Sequence, residues 1–268
     1  MSQDIRIVEN PQALARTAAD EFLRRAAAAV RQNGTFSVAL SGGSTPKALY
    51  SLLATDPVLK RDLPWKKTHV FWGDERPVPP DHADSNFRMA DEALLSKVSA
   101  TAANVHRIEG ELAAEPAAAD YERALIECFG SQSGEPPRFD LVLLGLGPEG
   151  HTASLFPGTL ALHEKKRLAV ANWVGKFDSE RITLTAPVFN NAACVIFLVS
   201  GNEKAVVLKS VLEGRHEPEQ LPAQLIRPGN GELIWMVDAA AGKLLQDKGQ
   251  KSGFGIQGNS SGALRAPH

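Results

Sequence analysis

An open, Rossmann-like α/β fold, a mainly parallel sheet sandwiched by helices, is predicted by three observations. Short apolar runs recur along the chain, helical periodicities separate them, and several runs stop abruptly at glycine or small polar residues. Continuous rather than alternating apolarity marks strands covered on both faces. Ligands in such sheets bind beyond the carboxyl ends of the strands.

The elements follow in order. Asn10-Pro11 reads as a cap with proline at the first helical position; Leu14, Ala18, Phe22, Ala26 and Val30 then recur at helical spacing until Asn33-Gly34. Phe36–Leu40 is a buried strand, followed by Ser41-Gly42-Gly43-Ser44-Thr45-Pro46 and a helix from Lys47 to about Leu53. The run 69–72 is a strand ending in Gly73-Asp74-Glu75-Arg76-Pro77. A capped helix is expected from Asp84-Ser85 to Val98, and Pro116 opens another that reaches Phe129.

The next strand, 139–144, ends in Gly145-Leu146-Gly147-Pro148-Glu149-Gly150-His151. Residues 168–174 and 181–185 are strand-like, the second with period-two alternation. The apolar run 194–200 leads through Gly201-Asn202-Glu203-Lys204 into a helix ending at Gly214. A last strand, 233–237, precedes a short helix over 238–245. Strand ends at Ser41, Gly73, Gly145 and Ser200 are expected to converge on one pocket.

The 268 residues are read as one α/β domain over 1–246, with a disordered tail over 247–268 rich in lysine, glycine, serine and glutamine. Twenty-nine basic against 31 acidic residues give a net charge of −2, which disfavours nucleic acid as a partner. Cys128 and Cys194 are far apart and lack metal-ligand spacing, so a zinc site or disulfide framework has little sequence support. The N-terminus has no basic region followed by an apolar core, and no run is long enough to span a bilayer. A cytoplasmic monomer, without membrane association, is the expectation.

Ser41, Gly42, Gly43, Ser44 and Thr45 place small residues and hydroxyls at a helix N-terminus, an arrangement suited to phosphate. The nucleotide P-loop pattern is absent, and the GxGxxG at Gly145–Gly150 carries a proline unsuited to a dinucleotide loop. Ser41 also sits close to a nucleophile-elbow pattern, leaving a serine esterase as an alternative. His151 alone among the seven histidines follows a glycine-rich strand end, making it the candidate general base with a pKa near neutrality. Asp74, Glu75 and Arg76 occupy another strand end, and Arg181 and Lys204 have the reach to neutralise a phosphate.

Taken together, Ser41–Pro46, Trp72–Arg76 with Asp84-Ser85-Asn86, Gly150–Gly158, Arg181–Thr185 and Gly201–Ala205 resemble the 6-phosphogluconolactonases, related in fold to glucosamine-6-phosphate deaminases. The resemblance covers about Val38 to Val237 and implies hydrolysis of a phosphorylated sugar lactone with no metal or organic cofactor. It implies that Ser41–Thr45, Arg181 and Lys204 hold the phosphate, that His151 activates water, and that Asp74 and Arg76 lie at the sugar end. Arg76 would face either phosphate or oxyanion. Glu149 stands where that family usually has aspartate.

Overall fold

The computed structural model describes residues 4–131 and 135–246; the expected tail, 247–268, lies outside them. The chain opens with strand β1 (Asp4–Val8), which no apolar run announces, and helix α1 (Pro11–Asn33). Asn10 Oδ1 accepts from the Ala13 N–H at 2.9 Å and Gly34 ends the helix at φ +83°, as the cap and stop signals predict. Then come β2 (Phe36–Leu40), α2 (Ser44–Thr55), α3 (Pro57–Asp62), β3 (Thr68–Trp72), β4 (Asp74–Glu75), α4 (Asn86–Ala93) and α5 (Ala114–Phe129). The second half adds β5 (Leu141–Leu144), β6 (Ala169–Val174), β7 (Ser179–Leu184), α6 (Ala186–Asn190), β8 (Cys194–Val199), α7 (Ala205–Glu213), β9 (Glu232–Asp238) and α8 (Ala239–Gly242).

Several boundaries differ from the sequence expectation: α5 starts two residues before Pro116, β7 is shifted to 179–184, the last helix is only 239–242, and two helices beside the pocket change more. Helix α2 starts at Ser44, not Lys47, because Gly43 at φ +103° turns the chain directly into it. Helix α4 stops at Ala93, not Val98, where Leu94 leaves helical backbone at φ −136°.

Six strands form an all-parallel sheet in the order β1-β9-β8-β5-β2-β3. Every residue of β5 and β8 is buried, which accounts for their unbroken apolar text. Strands β8, β5, β2 and β3 are neighbours, so the four polar strand ends lie side by side.

The strand-like segments near 168–185 do not join this sheet. They form a separate antiparallel ribbon, β4-β7-β6, in which Asp74 pairs with Thr183 and Asn172 with Arg181. The connection between β6 and β7 is only residues 175–178, too short for the crossover that parallel pairing requires. Among the described residues, no helix is long and apolar enough to cross a membrane.

Candidate active site

Beyond the carboxyl ends of the strands, two cavities adjoin. One, about 270 Å³, is lined by Ser41, Gly42 and Gly43 after β2, Gly145 to Pro148 after β5, and Lys204 at the start of α7. The other, about 520 Å³, includes Pro77, Phe156, Phe177 and Arg181. Asp74, Arg76, His151 and Ala153 belong to both. The pocket expected at the strand ends is thus present, although Ser200 turns away to donate to Asp238 Oδ2 at 2.5 Å.

His151 is held on three sides. Its Nδ1 lies 2.8 Å from Glu149 Oε2, and its ring stacks on Phe156 with centroids 4.0 Å apart. Gly147 lies beneath it: a Cβ there would come within 1.9 Å of the ring. A carboxylate can only accept, so Nδ1 carries the proton and Nε2 presents its lone pair. Lys176 pairs with the other oxygen of Glu149.

Burial pushes the His151 pKa down to about 4; the Asp74 charge opposes that shift and the Lys204 charge adds to it. The imidazole is therefore neutral at pH 7, rather than poised near neutrality as its residue type alone suggests. Glu149, by stabilising an imidazolium, pulls against the burial. The acid limb of kcat/KM is accordingly expected well below the ordinary 6.5, and Glu149→Gln is expected to move it lower still. A pH series on wild type and variant, corrected for spontaneous lactone hydrolysis, measures this.

Asp74 is buried beside His151, its Oδ2 accepting from Ser154 Oγ at 2.6 Å. Ala153, at φ +46°, makes the left-handed turn between Thr152 and Ser154, an uncommon conformation for alanine that sits at the pocket wall. Asn86 is a buried hub: its Nδ2 donates to the Asp74 carbonyl at 2.9 Å, while its Oδ1 accepts from Arg76 Nη1 at 2.8 Å. A Cβ on Gly42 would lie 1.9 Å from that Oδ1, so the glycine lets the β2 loop close onto the hub.

Glu75 does not face the pocket. It is buried beneath it and accepts from the N–H groups of Arg76, Asn86 and Phe87 and from Ser85 Oγ, fixing the start of α4. Burial raises its pKa, against those hydrogen bonds.

Arg76, Arg181 and Lys204 have no carboxylate partner among the described residues. Arg76 donates to the Asp84 carbonyl and to Asn86; Arg181 donates to Ser179 Oγ and the Glu180 carbonyl, over the Phe177 ring. Burial lowers the Arg181 pKa and the neighbouring Arg76 charge adds to it, while the charges of Asp74 and Asp84 oppose the shift. Lys204 lines the glycine-loop cavity, whereas Arg181 lines the other, so the fold sets them on different walls. Ser44 and Thr45 lie in the first turn of α2, outside that lining, where no side chain caps the helix. Ser41 Oγ is buried without a hydrogen-bond partner, and thus without the base that a serine nucleophile needs.

A family model described as glucosamine-6-phosphate isomerases/6-phosphogluconolactonase matches residues 9–235. The chain belongs to this family. It is 44% identical over 244 residues to a 6-phosphogluconolactonase of Nostoc sp., covering 90% of this chain and 98% of the relative. A Synechocystis sp. 6-phosphogluconolactonase is likewise 44% identical, over 249 residues, covering 92% and 100%. The solved 6-phosphogluconolactonase from Trypanosoma cruzi superposes with a TM-score of 0.80 at 32% identity, covering 91% and 97%. A monomeric glucosamine-6-phosphate deaminase shares the fold, with a TM-score of 0.75 at 17% identity. Within the family the sequence sides with the lactone hydrolases.

Phe177 carries no readable signal in the sequence. Asn86, Ser154 and Phe156 lie within the stretches that carry the family resemblance, but what each touches depends on what folds against it. Glu149 did carry a signal, being two residues from His151, but only the folded turn shows its carboxylate meeting Nδ1.

Proposed function

We propose that this protein hydrolyses 6-phospho-D-glucono-1,5-lactone to 6-phospho-D-gluconate, the lactonase step of the oxidative pentose phosphate pathway. The observation that carries this reading is a carboxylate-oriented imidazole set between a glycine loop and three cations that make no ion pair with a carboxylate among the described residues. An anion is what such cations lack, and a neutral imidazole is what a water molecule needs as proton acceptor.

The phosphate is assigned to Ser41, Gly42 and Gly43, the α2 N-terminus of Ser44 and Thr45, and Lys204. Arg181 extends the positive field along the adjoining cavity. The lactone carbonyl then lies at His151. As the water oxygen bonds to C1, His151 Nε2 takes its proton and the carbonyl electrons move onto oxygen, beside Arg76. Collapse of the tetrahedral intermediate breaks the bond from C1 to the ring oxygen, which leaves as the 5-hydroxyl after taking the proton back from the imidazolium. Asp74 steadies that imidazolium by charge. No metal or organic cofactor enters, and a cytoplasmic monomer is part of the same reading.

A coupled 6-phosphogluconate dehydrogenase assay on freshly generated lactone tests the reaction, with ammonia release from glucosamine 6-phosphate as the contrasting arm. Lactone turnover without deamination is expected; the reverse overturns the proposal. Lys204→Ala is expected to raise KM by about 10- to 100-fold, the worth of a charge-assisted hydrogen bond, with a smaller change in kcat. Arg181→Ala is expected to raise KM less.

A further inference from the structure

A second constellation lies away from the pocket. His69 on β3, His106 in the segment beside it, and Cys128 near the end of α5 turn their ligand atoms toward one another, all within 4.8 Å. His69 Nδ1 is 3.1 Å from His106 Nε2 and 3.4 Å from Cys128 Sγ. His106 and Cys128 lie 37 and 59 residues from His69 in sequence, so no spacing motif announces the cluster.

The surrounding fold fixes each ligand. Strand β3 is the edge of the parallel sheet, and Val105 extends it by bridging to Val70, with the His106 N–H donating to the Val70 carbonyl at 2.8 Å. The His106 ring stacks on Phe71, centroids 4.3 Å apart. His69 is three residues before Trp72, about 10 Å back along the strand from the end that feeds the pocket. The cluster is therefore a separate place on the molecule.

From this geometry we propose that His69, His106 and Cys128 form a zinc(II) site, independent of the lactonase reading. A tetrahedral zinc ion with bonds of about 2.0 Å to nitrogen and 2.3 Å to sulfur separates two nitrogens by about 3.3 Å and nitrogen from sulfur by about 3.5 Å. The observed 3.1 and 3.4 Å are close to those separations. The two imidazoles are nearly coplanar, however, 10° apart with centroids 5.4 Å apart, and their nitrogens face each other along a hydrogen bond. Zinc binding therefore replaces that bond and turns both rings until their lone pairs converge on the ion. Two imidazoles and a thiolate are a borderline-soft donor set that suits zinc better than magnesium or calcium. All three residues are half-buried, which leaves a path in and a fourth position for water.

Burial lowers both imidazole pKa values, keeping the rings unprotonated near pH 7, while it raises that of the Cys128 thiol. Binding thus releases one proton, from the thiol. The ion would tie β3, the 105–106 segment and α5 together at the open edge of the sheet.

The test uses the full chain, reduced and stripped with a chelator. Cobalt(II), a spectroscopic substitute for zinc, is expected to give a thiolate charge-transfer band that zinc then displaces. Zinc is expected to raise Tm. Cys128→Ser is expected to abolish the band and the Tm increase, His106→Gln to weaken zinc about a hundredfold, and Cys194→Ser to change neither. Unaltered lactone turnover in Cys128→Ser shows that the variant is folded. A wild-type cobalt spectrum lacking the band, or a band that survives Cys128→Ser, overturns the proposal.

Discussion

His151→Ala is expected to lower kcat by about 10²- to 10⁴-fold while leaving KM within a few-fold of wild type. The asymmetry follows from the pocket. In the proposed reaction the imidazole takes a proton from water, whereas the glycine loop and Lys204 line other parts of the cavity and keep their own side chains in the variant. Steady-state rates corrected for the background reaction separate the two parameters, and added imidazole is expected to restore part of the rate. Near wild-type turnover would remove His151 as the base. Ser41→Ala, by contrast, should retain kcat, any loss falling on KM through the proposed phosphate loop, and Ser41 should resist fluorophosphonate labelling, because its hydroxyl has no partner among the described residues to activate it.

Gly147→Ala is expected to cost about a hundredfold in kcat, although the residue has no functional group. The His151 ring occupies the space above Gly147, and an added Cβ would lie 1.9 Å from Cε1, 2.1 Å from Nδ1 and 2.4 Å from Nε2. Phe156 stacks against the imidazole, so the ring lacks an easy retreat. The turn is also closed by the Gly147 N–H donating to the His151 carbonyl at 2.8 Å. Gly147 is not among the residues with positive φ, so alanine is compatible with the backbone and the damage is positional. Displacement of a catalytic group by about 1 Å is worth about 10²-fold in rate. Overpacking of this kind lowers stability by about 1 to 3 kcal/mol, which a Tm measurement will show as a folded but less stable protein.

The parallel core was legible because its strands are buried on both faces, leaving the apolar runs at 36–40, 69–72, 141–144, 194–199 and 233–237 uninterrupted. Edge and ribbon elements were less so. Strand β1 exists through pairing with β9, with Ile5 and Ile7 partly in solvent, and β4 is two residues defined by their partners on β7. Residues 169–174 and 179–184 could be read as strands, yet which sheet they enter depends on a tight connection and not on their side chains. In the pocket, the glycine-rich endings marked where His151, Asp74 and the Ser41–Gly43 loop stand. The lowered imidazole pKa could not be read, since burial is a property of what packs around the ring. Nor could the separate walls of Arg181 and Lys204, because sequence offers reach but not direction.

The antiparallel ribbon gives the pocket a modular construction. Asp74, Phe177 and Arg181 lie on or at the turn of that ribbon, whereas the glycine loop, His151 and Lys204 follow strands of the parallel sheet. The proposed anchor for the phosphate and much of the wall of the adjoining cavity are therefore carried by two different hydrogen-bonded frameworks. Substitutions at the tip of the β6–β7 hairpin, where Phe177 is partly in solvent and lines the larger cavity, are expected to reshape that cavity without touching the glycine loop. Divergence of substrate preference would then concentrate in a few ribbon residues, on a scaffold that never has to be rebuilt.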